Sequence, residues 1–169
     1  MMQHTLTVLV ENKPGVLARV SAMFSNRGFN IHSLAVGPTH QEGRSRITLV
    51  VDAPELEQLT KQLNKLVNVI KVQELEAHVA LERELMIARI ACDPVNRGEV
   101  RDTASLFDAK LIDLGTGSLT FEVSGSPAQL GAFLDHMSGY GVIDLVKSGR
   151  IAMRRESELS PITATPSLS

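Results

Sequence analysis

A four-residue turn near the start of the chain holds the residue types best suited to binding a small ligand. Asn12, Lys13, Pro14 and Gly15 follow a strand-like segment and open a helical one. Asn12 can cap that helix, Pro14 fits its first turn, and Gly15 lets another group approach the backbone closely. The first N–H groups of a helix suit a carboxylate or a phosphate, because they have no acceptor within the helix. The same four residues could also form only a tight strand-to-helix turn.

A second candidate is Asn30, which stands with Ile31 at the start of the next predicted strand. Its side-chain amide could satisfy its own turn, or it could bind the ammonium or carboxylate of a small zwitterion. The apolar residues Val16, Leu17 and Ile31 would then meet the side chain of that ligand. All three are also ordinary core candidates, so the residues alone leave both interpretations open.

Residues for catalysis or metal binding are not arranged in any recognisable pattern. The five histidines lack His-x-His and His-Glu-x-x-His spacing, and the chain contains no Walker, Gly-x-Ser-x-Gly or Gly-x-Gly-x-x-Gly motif. The single cysteine, Cys92, has no second cysteine to pair with, so a buried or incidental thiol is favoured over a nucleophile. The sequence therefore predicts neither a catalytic site nor a metal site.

The elements that must position these residues repeat one order twice. Apolar residues alternate in the strands and recur at helical spacing in the helices, which gives βαββαβ in each half. Asp52 to Glu55 and Ser126 to Gln129 both resemble helix capping boxes. The predicted strands are 5–10, 29–36, 46–51, 69–75, 85–91, 110–114, 119–123 and 142–146, with helices from 16, 56, 96 and 127.

We therefore expect an α+β protein of two ferredoxin-like domains. The first spans 4–78 and the second 82–156, joined near 78–84, and 157–169 is expected to be a mobile tail. Domains of this size are marginal alone, so pairing between halves or between chains is expected. A four-stranded sheet with two helices also leaves one face and its strand edges to be covered.

Composition excludes several classes of partner. The 169 residues carry a net charge of −2, with 17 Lys and Arg against 19 Asp and Glu, so no basic surface for nucleic acid or anionic membrane is expected. Aromatic residues make up 4% with no Trp, which disfavours a surface for stacking bases. The lone cysteine, the absence of an apolar run long enough to span a bilayer, and the strand-like N-terminus predict a cytoplasmic location.

Two stretches, 6–20 and 27–34, resemble the opening of ACT domains, which are regulatory amino-acid-binding modules. Three more, 45–48, 62–67 and 69–72, narrow the resemblance to the regulatory small subunits of acetolactate synthase, also called acetohydroxyacid synthase. Segments 82–86 and 109–113 extend it into the second half, so that it covers about 5–157.

The resemblance implies a non-catalytic subunit that activates a separate catalytic subunit. That partner condenses pyruvate, or pyruvate with 2-oxobutyrate, using thiamine diphosphate, magnesium and FAD, whereas no cofactor is expected on this chain. The resemblance also implies feedback inhibition by valine, or in some members by leucine or isoleucine, with the effector between two ACT domains of a homodimer. The residues implied for the site are Asn12, Gly15, Val16 and Leu17 from one chain and Asn30 and Ile31 from its partner.

Some interpretations stay open. Gly37 is smaller than the residue that some family members carry at this position, which could alter the size of the pocket. The loop 39–43 varies in length within the family. Both leave open which amino acid is the effector. A freestanding amino-acid sensor is the main alternative. An acylphosphatase-like hydrolase would need an arginine within 12–15, and an RNA-binding domain would need aromatic residues within 47–50; the sequence has neither.

Overall fold

The computed structural model describes residues 3–156, which form two successive βαββαβ units. The first unit comprises β1 (Gln3–Glu11), α1 (Val16–Ser25), β2 (Ile31–Pro38), β3 (Arg44–Asp52), α2 (Leu56–Leu63) and β4 (Val69–Leu75). The second comprises β5 (Ala80–Ala91), α3 (Arg97–Ser105), β6 (Lys110–Leu114), β7 (Ser118–Gly125), α4 (Pro127–Met137) and β8 (Val142–Lys147), followed by a short strand, β9 (Ile151–Arg154). The predicted fold class, α+β with two ferredoxin-like βαββαβ units, is confirmed.

The first sheet is antiparallel, with strand order β2-β3-β1-β4, so β2 lies at an edge. Alternate residues of β1 and β3 face the two helices and are fully buried, because successive side chains of a strand point to opposite faces. Helix α1 adds three buried residues from the same stripe. The core of this unit comprises Leu6, Val8, Val10, Val16, Val20, Phe24, Ile47, Leu49, Val51, Ala53, Leu59 and Leu63.

The second sheet has the order β6-β7-β5-β8, also antiparallel. Helices α3 and α4 cover its two central strands, and an aromatic cluster fills the space between them. The ring of Phe133 meets those of Phe107 and Phe121 edge-on, with centroids 5.6 and 6.3 Å apart. Such edge-to-face pairs are favourable beyond the apolar area that they bury.

The connection between the units contains strand segments that the sequence did not predict. Residues 78–84 were expected to join two domains, but Ala80 already begins β5, which continues unbroken to Ala91. The first part of β5 pairs with β9, a strand that the sequence did not predict, with Ala80 opposite Arg154 and Arg83 opposite Ile151. We call this two-stranded segment the ribbon. Ala80 and Ala152 of the ribbon pack on Leu75 of the first sheet.

Only one of the two predicted capping boxes forms. Ser126 and Gln129 satisfy each other's backbone N–H groups at the start of α4, with Pro127 at the first helical position. The box predicted at Asp52 to Glu55 is wrong: α2 begins after Glu55 without a side-chain cap, and Asp52 instead contacts His32. The predicted tail 157–169 lies outside the described residues, and none of the described helices is long and apolar enough to cross a membrane.

Candidate functional site

The start of α1 is shaped by Gly15, which adopts a left-handed conformation with φ of 81° as the N-cap residue. The prediction that Asn12 caps this helix is wrong, because no side chain caps it; the backbone N–H of Asn12 instead donates to the carbonyl of Gly43. The N–H groups of Leu17 and Ala18 belong to the first turn and have no acceptor within the helix. A Cβ on Gly15 would contact only Arg19, at 3.7 Å, so the approach to these amides is open.

A charged cluster that sequence reasoning missed surrounds this helix start. The Arg19 guanidinium donates to Oδ1 of Asn68 at 3.0 Å, and Nδ2 of Asn68 donates to Glu11, also at 3.0 Å. Lys13 pairs with the same Glu11 carboxylate at 2.8 Å, and these contacts hold the pKa of Glu11 below its ordinary value, with the Lys13 hydrogen bond as the largest cause. Two cations against one carboxylate leave the site with an excess of positive charge beside free helix amides, which suits a carboxylate ligand.

The apolar residues predicted for the site separate into two kinds. Val16 is buried in the core, 4% exposed, so its side chain supports the helix and does not line an open surface. Leu17, the next residue, is 41% exposed beside the free amides. Ile31 is partly buried and packs on the first core, while Asn30 is exposed, with its carbonyl accepting from the backbone N–H of Asp52.

Within one chain the six predicted site residues do not meet. Glu11 pairs with Arg44, which puts the 12–17 segment at one end of the sheet. Ile31 pairs with Val51, at the opposite end. At about 3.3 Å per residue, the seven steps from Arg44 to Val51 separate these ends by roughly 23 Å. One chain therefore places the predicted site residues in two separate groups, which we call the half-sites: 12–17 at one end of the sheet and Asn30 with Ile31 at the other.

The edge strand β2 runs from one half-site towards the other. Its first residue, Ile31, lies at the Asn30 end, and its last, Pro38, pairs with Ser45 near the 12–17 segment. On the helix side of this edge, three large apolar side chains remain exposed to solvent: Leu17, Leu34 and Val36. An edge strand with free backbone groups and adjacent apolar side chains is a surface on which another strand can add.

Comparisons with known proteins agree with this architecture. The family model described as "AHAS small subunit-like ACT domain" matches residues 6–71, and that described as "Small subunit of acetolactate synthase" matches residues 83–156. The chain belongs to the acetolactate synthase small-subunit family. The resemblance seen in the sequence is thereby confirmed, and membership of the family gives the chain the role of a regulatory subunit.

Members of this family are similar over almost the whole chain. An acetolactate synthase small subunit from Mycolicibacterium smegmatis is 51% identical over 155 residues, covering 90% of this chain and 91% of that protein. A probable acetolactate synthase small subunit from Archaeoglobus fulgidus is 46% identical, covering 91% and 98%. The crystal structure of the small subunit from Thermotoga maritima superposes with a TM-score of 0.82 at 31% identity, covering 92% of this chain and 98% of that one.

A separate cleft of about 450 Å³ lies on the other face of the first sheet. None of the six residues that the family resemblance implies lines it. Arg46 and Thr48 form its floor, and Leu81 and Met153 of the ribbon form its wall. The cleft is therefore distinct from the half-sites, which lie at the two ends of the sheet.

Groups for catalysis are scarce in the described part of this small-subunit chain. Among residues 3–156, no three or more His, Cys, Asp or Glu side chains come together where they could hold a metal ion. Cys92 is buried, 7% exposed, at the edge of the second core. Its burial agrees with the interpretation of Cys92 as a core thiol.

Proposed function

We propose that this chain activates a separate catalytic subunit of acetolactate synthase. We propose also that it makes that subunit subject to feedback inhibition by a branched-chain amino acid, with valine as the leading candidate. The chemistry and its cofactors, thiamine diphosphate, magnesium and FAD, then reside on that catalytic subunit. Family membership supports the partner, because the relatives are named as small subunits of acetolactate synthase. The observation that carries the effector site is the pair of complementary half-sites at opposite ends of one edge strand.

A homodimer built on β2 would complete the site. If the β2 strands of two copies pair antiparallel about a two-fold axis, the Ile31 end of each lies beside the Pro38 end of the other. That arrangement brings Asn30 and Ile31 of the second copy to the 12–17 segment of the first. It would also bury Leu34 and Val36, which are 37% and 48% exposed in a single chain.

Each part of a bound valine would then have a matching group. Its carboxylate would accept from the free amides of α1, assisted by the positive charge of Arg19 and Lys13. The ammonium would donate to the side-chain oxygen of Asn30 of the second copy. The isopropyl group would contact Leu17 and Ile31, whose apolar surfaces it would remove from water.

Inhibition would follow from linkage. Valine bound across two copies stabilises one arrangement of the dimer, and the catalytic subunit prefers another. Couplings of this kind are typically about 1–3 kcal/mol, or roughly 5–150-fold in affinity. Valine would therefore weaken activation without contacting any catalytic group.

The test combines binding with reconstitution. We expect valine to bind the wild-type dimer by calorimetry, and Gly15→Asp to weaken that binding by about tenfold or more, since the new carboxylate opposes that of valine. Gly141→Asp is the matched control, because Gly141 also has a positive φ, of 108°, but lies in the second unit. Valine binding unchanged by Gly15→Asp would remove these residues from the site. Binding without stimulation of the catalytic subunit would favour a freestanding sensor.

A further inference from the structure

The connection between β8 and β9 leaves the second unit and lies directly against β2 of the first. The backbone N–H of Arg150 donates to the Ser33 hydroxyl at 2.7 Å. Gly149 has a φ of 87°, and a Cβ there would lie 2.8 Å from the carbonyl oxygen of Leu34. No side chain larger than hydrogen fits at this position without displacing the edge strand, so the contact between the units is close and specific.

The Arg150 side chain extends this contact into the ribbon. Its Nη1 lies 3.4 Å from Oε1 of Glu82 and 3.4 Å from the Thr5 hydroxyl, which itself donates to the same Glu82 oxygen at 2.8 Å. The side chains of Arg150 and Glu82 are only 19% and 16% exposed. We call Thr5, Ser33, Glu82 and Arg150 the clasp, since they tie β1 and β2 of the first unit to β5 and the β8–β9 connection of the second.

The clasp is largely shielded from water and only partly satisfied. The Nε atom of Arg150 is buried and has no hydrogen-bond partner among the described residues. Removing one member of such a pair leaves a mostly buried charge without its partner, which is destabilising.

The clasp also stands beside an irregular point of β2. The register between β2 and β3 shifts between Ile31 and Ser33, so the strand is bulged next to the proposed effector residue. A movement of Ile31 on ligand binding would displace Ser33, the next paired residue. Arg150 would move in turn, because its backbone N–H is bonded to the Ser33 hydroxyl. Glu82 carries it further, because β5 continues from the ribbon into the centre of the second sheet.

We infer that Arg150 and Glu82 are positioning residues that couple the effector site to the orientation of the second unit. This inference rests on the proposed function, and it adds a route by which a ligand at β2 reaches the other half of the chain. None of the clasp residues is among the six proposed effector residues. Their role is to make the two units move as one when the first unit changes arrangement.

The test separates coupling from binding in the full-length chain. Arg150→Met keeps the aliphatic stem and removes the charge, and Glu82→Gln removes the opposing charge with little change of shape. For both we expect calorimetric affinity of the free dimer for valine within about twofold of wild type and retained stimulation of the catalytic subunit. The valine concentration for half-maximal inhibition should rise about fivefold or more, or the maximal inhibition should fall, since the coupling is lost. Arg101→Met is the control, because Arg101 is exposed on α3 and pairs only with the adjacent Asp102 among the described contacts.

The remaining outcomes each contradict or support one of the two proposals. Wild-type inhibition by valine in a folded Arg150→Met or Glu82→Gln complex would overturn the inference. Loss of valine binding by either variant, with thermal unfolding as in wild type, would also overturn it, since the clasp would then belong to the binding site. A wild-type chain that binds no branched-chain amino acid would instead defeat the proposed function, and would do so before any variant is measured. Restored inhibition in Arg150→Lys, which keeps the charge, would support the coupling role.

Discussion

The two βαββαβ units share an element order but differ in where their irregularities lie. In the second unit, α4 begins with a complete capping box, and the outer strands β6 and β8 are exposed along their whole length. In the first unit, α1 begins at a left-handed glycine, β2 carries a bulge, and the ribbon lies against part of the sheet. Register shifts occur in both units, and the second unit has its own between Arg89 and Ile90 and between Leu111 and Asp113. Only in the first unit do irregular positions, Gly15 and the shift after Ile31, coincide with the two proposed half-sites.

This contrast separates two tasks within one fold. Irregular backbone next to free helix amides is suited to binding a small molecule, because groups are left unsatisfied there. The second unit exposes more large apolar side chains on its outer strands than the first does on β2 and β4, a surface on which another protein could pack. Those side chains are Leu111, Ile112, Leu114, Val142, Ile143, Leu145 and Val146.

The largest expected effect tests whether the units are independent in stability. Phe24 and Phe133 are both fully buried, each in the core of its own unit. Replacing either with Ala should cost about 3–5 kcal/mol of unfolding free energy, through lost burial and a residual cavity. Tyr140, the only tyrosine, lies in the second unit and reports on it alone. In urea denaturation, Phe133→Ala should lower the urea concentration at the midpoint of the Tyr140 fluorescence change. Phe24→Ala should leave that midpoint unchanged and lower only the midpoint of the far-UV circular dichroism change that comes from the first unit.

A shared response would contradict that expectation. If Phe24→Ala moved the Tyr140 transition as far as Phe133→Ala does, the two units would unfold as one. The clasp would then contribute more to stability than its few contacts indicate.

Much of the fold could be predicted from the sequence because it depends on local periodicity. Alternation identified the strands through β8, and the Ser126–Gln129 box marked the start of α4. The strand β9 was missed, since four residues carry too little alternation and pair with β5 only through tertiary packing. The capping prediction at Asp52 failed for a related reason: His32, twenty residues away, takes its carboxylate.

In the candidate site, too, local features were predictable from the sequence and long-range contacts were not. The turn at Gly15 was identifiable because glycine and proline constrain the backbone locally. Glu11, Arg19 and Asn68 were not, because Asn68 lies 49 residues from Arg19 and meets it only once β4 pairs with β1. The separation of the half-sites also depends on strand register, which no local pattern specifies.

A smaller effect on stability is expected from the residues at the starts of α4 and α1, which differ in whether a side chain caps the helix. Ser126→Ala removes the side-chain cap of α4 and should cost about 1 kcal/mol of unfolding free energy. Asn12→Ala should change that free energy by less than about 0.5 kcal/mol, because Asn12 does not cap α1. Urea denaturation followed by circular dichroism measures both. Equal costs for the two variants would mean that the Asn12 side chain has a structural role that its contacts do not show.

The smallest expected effect concerns pH and the charged cluster at the start of α1. The pKa of Glu11 is lowered by hydrogen bonds from Lys13 and Asn68 and by the charge of Lys13. A carboxyl whose pKa is lower in the folded chain than in the unfolded one adds stability above its ordinary pKa, and that stability is lost as pH falls through the lowered value. Glu11→Gln should therefore be slightly less stable than wild type at neutral pH, and the difference should vanish in acid.

The effect should also be weakened by salt, because the Glu11 side chain is 40% exposed and its ion pair is screened by solvent ions. Glu57→Gln is the matched control, since the pKa of Glu57 is likewise lowered, by Lys61 on α2, away from the half-site. Both variants should show the same small pH-dependent loss of stability. Only Glu11→Gln should also change valine binding, because it removes the negative charge that Lys13 pairs with and so increases the positive charge at the start of α1. Equal valine affinity in the two variants would separate the cluster from the ligand and leave it a purely structural device.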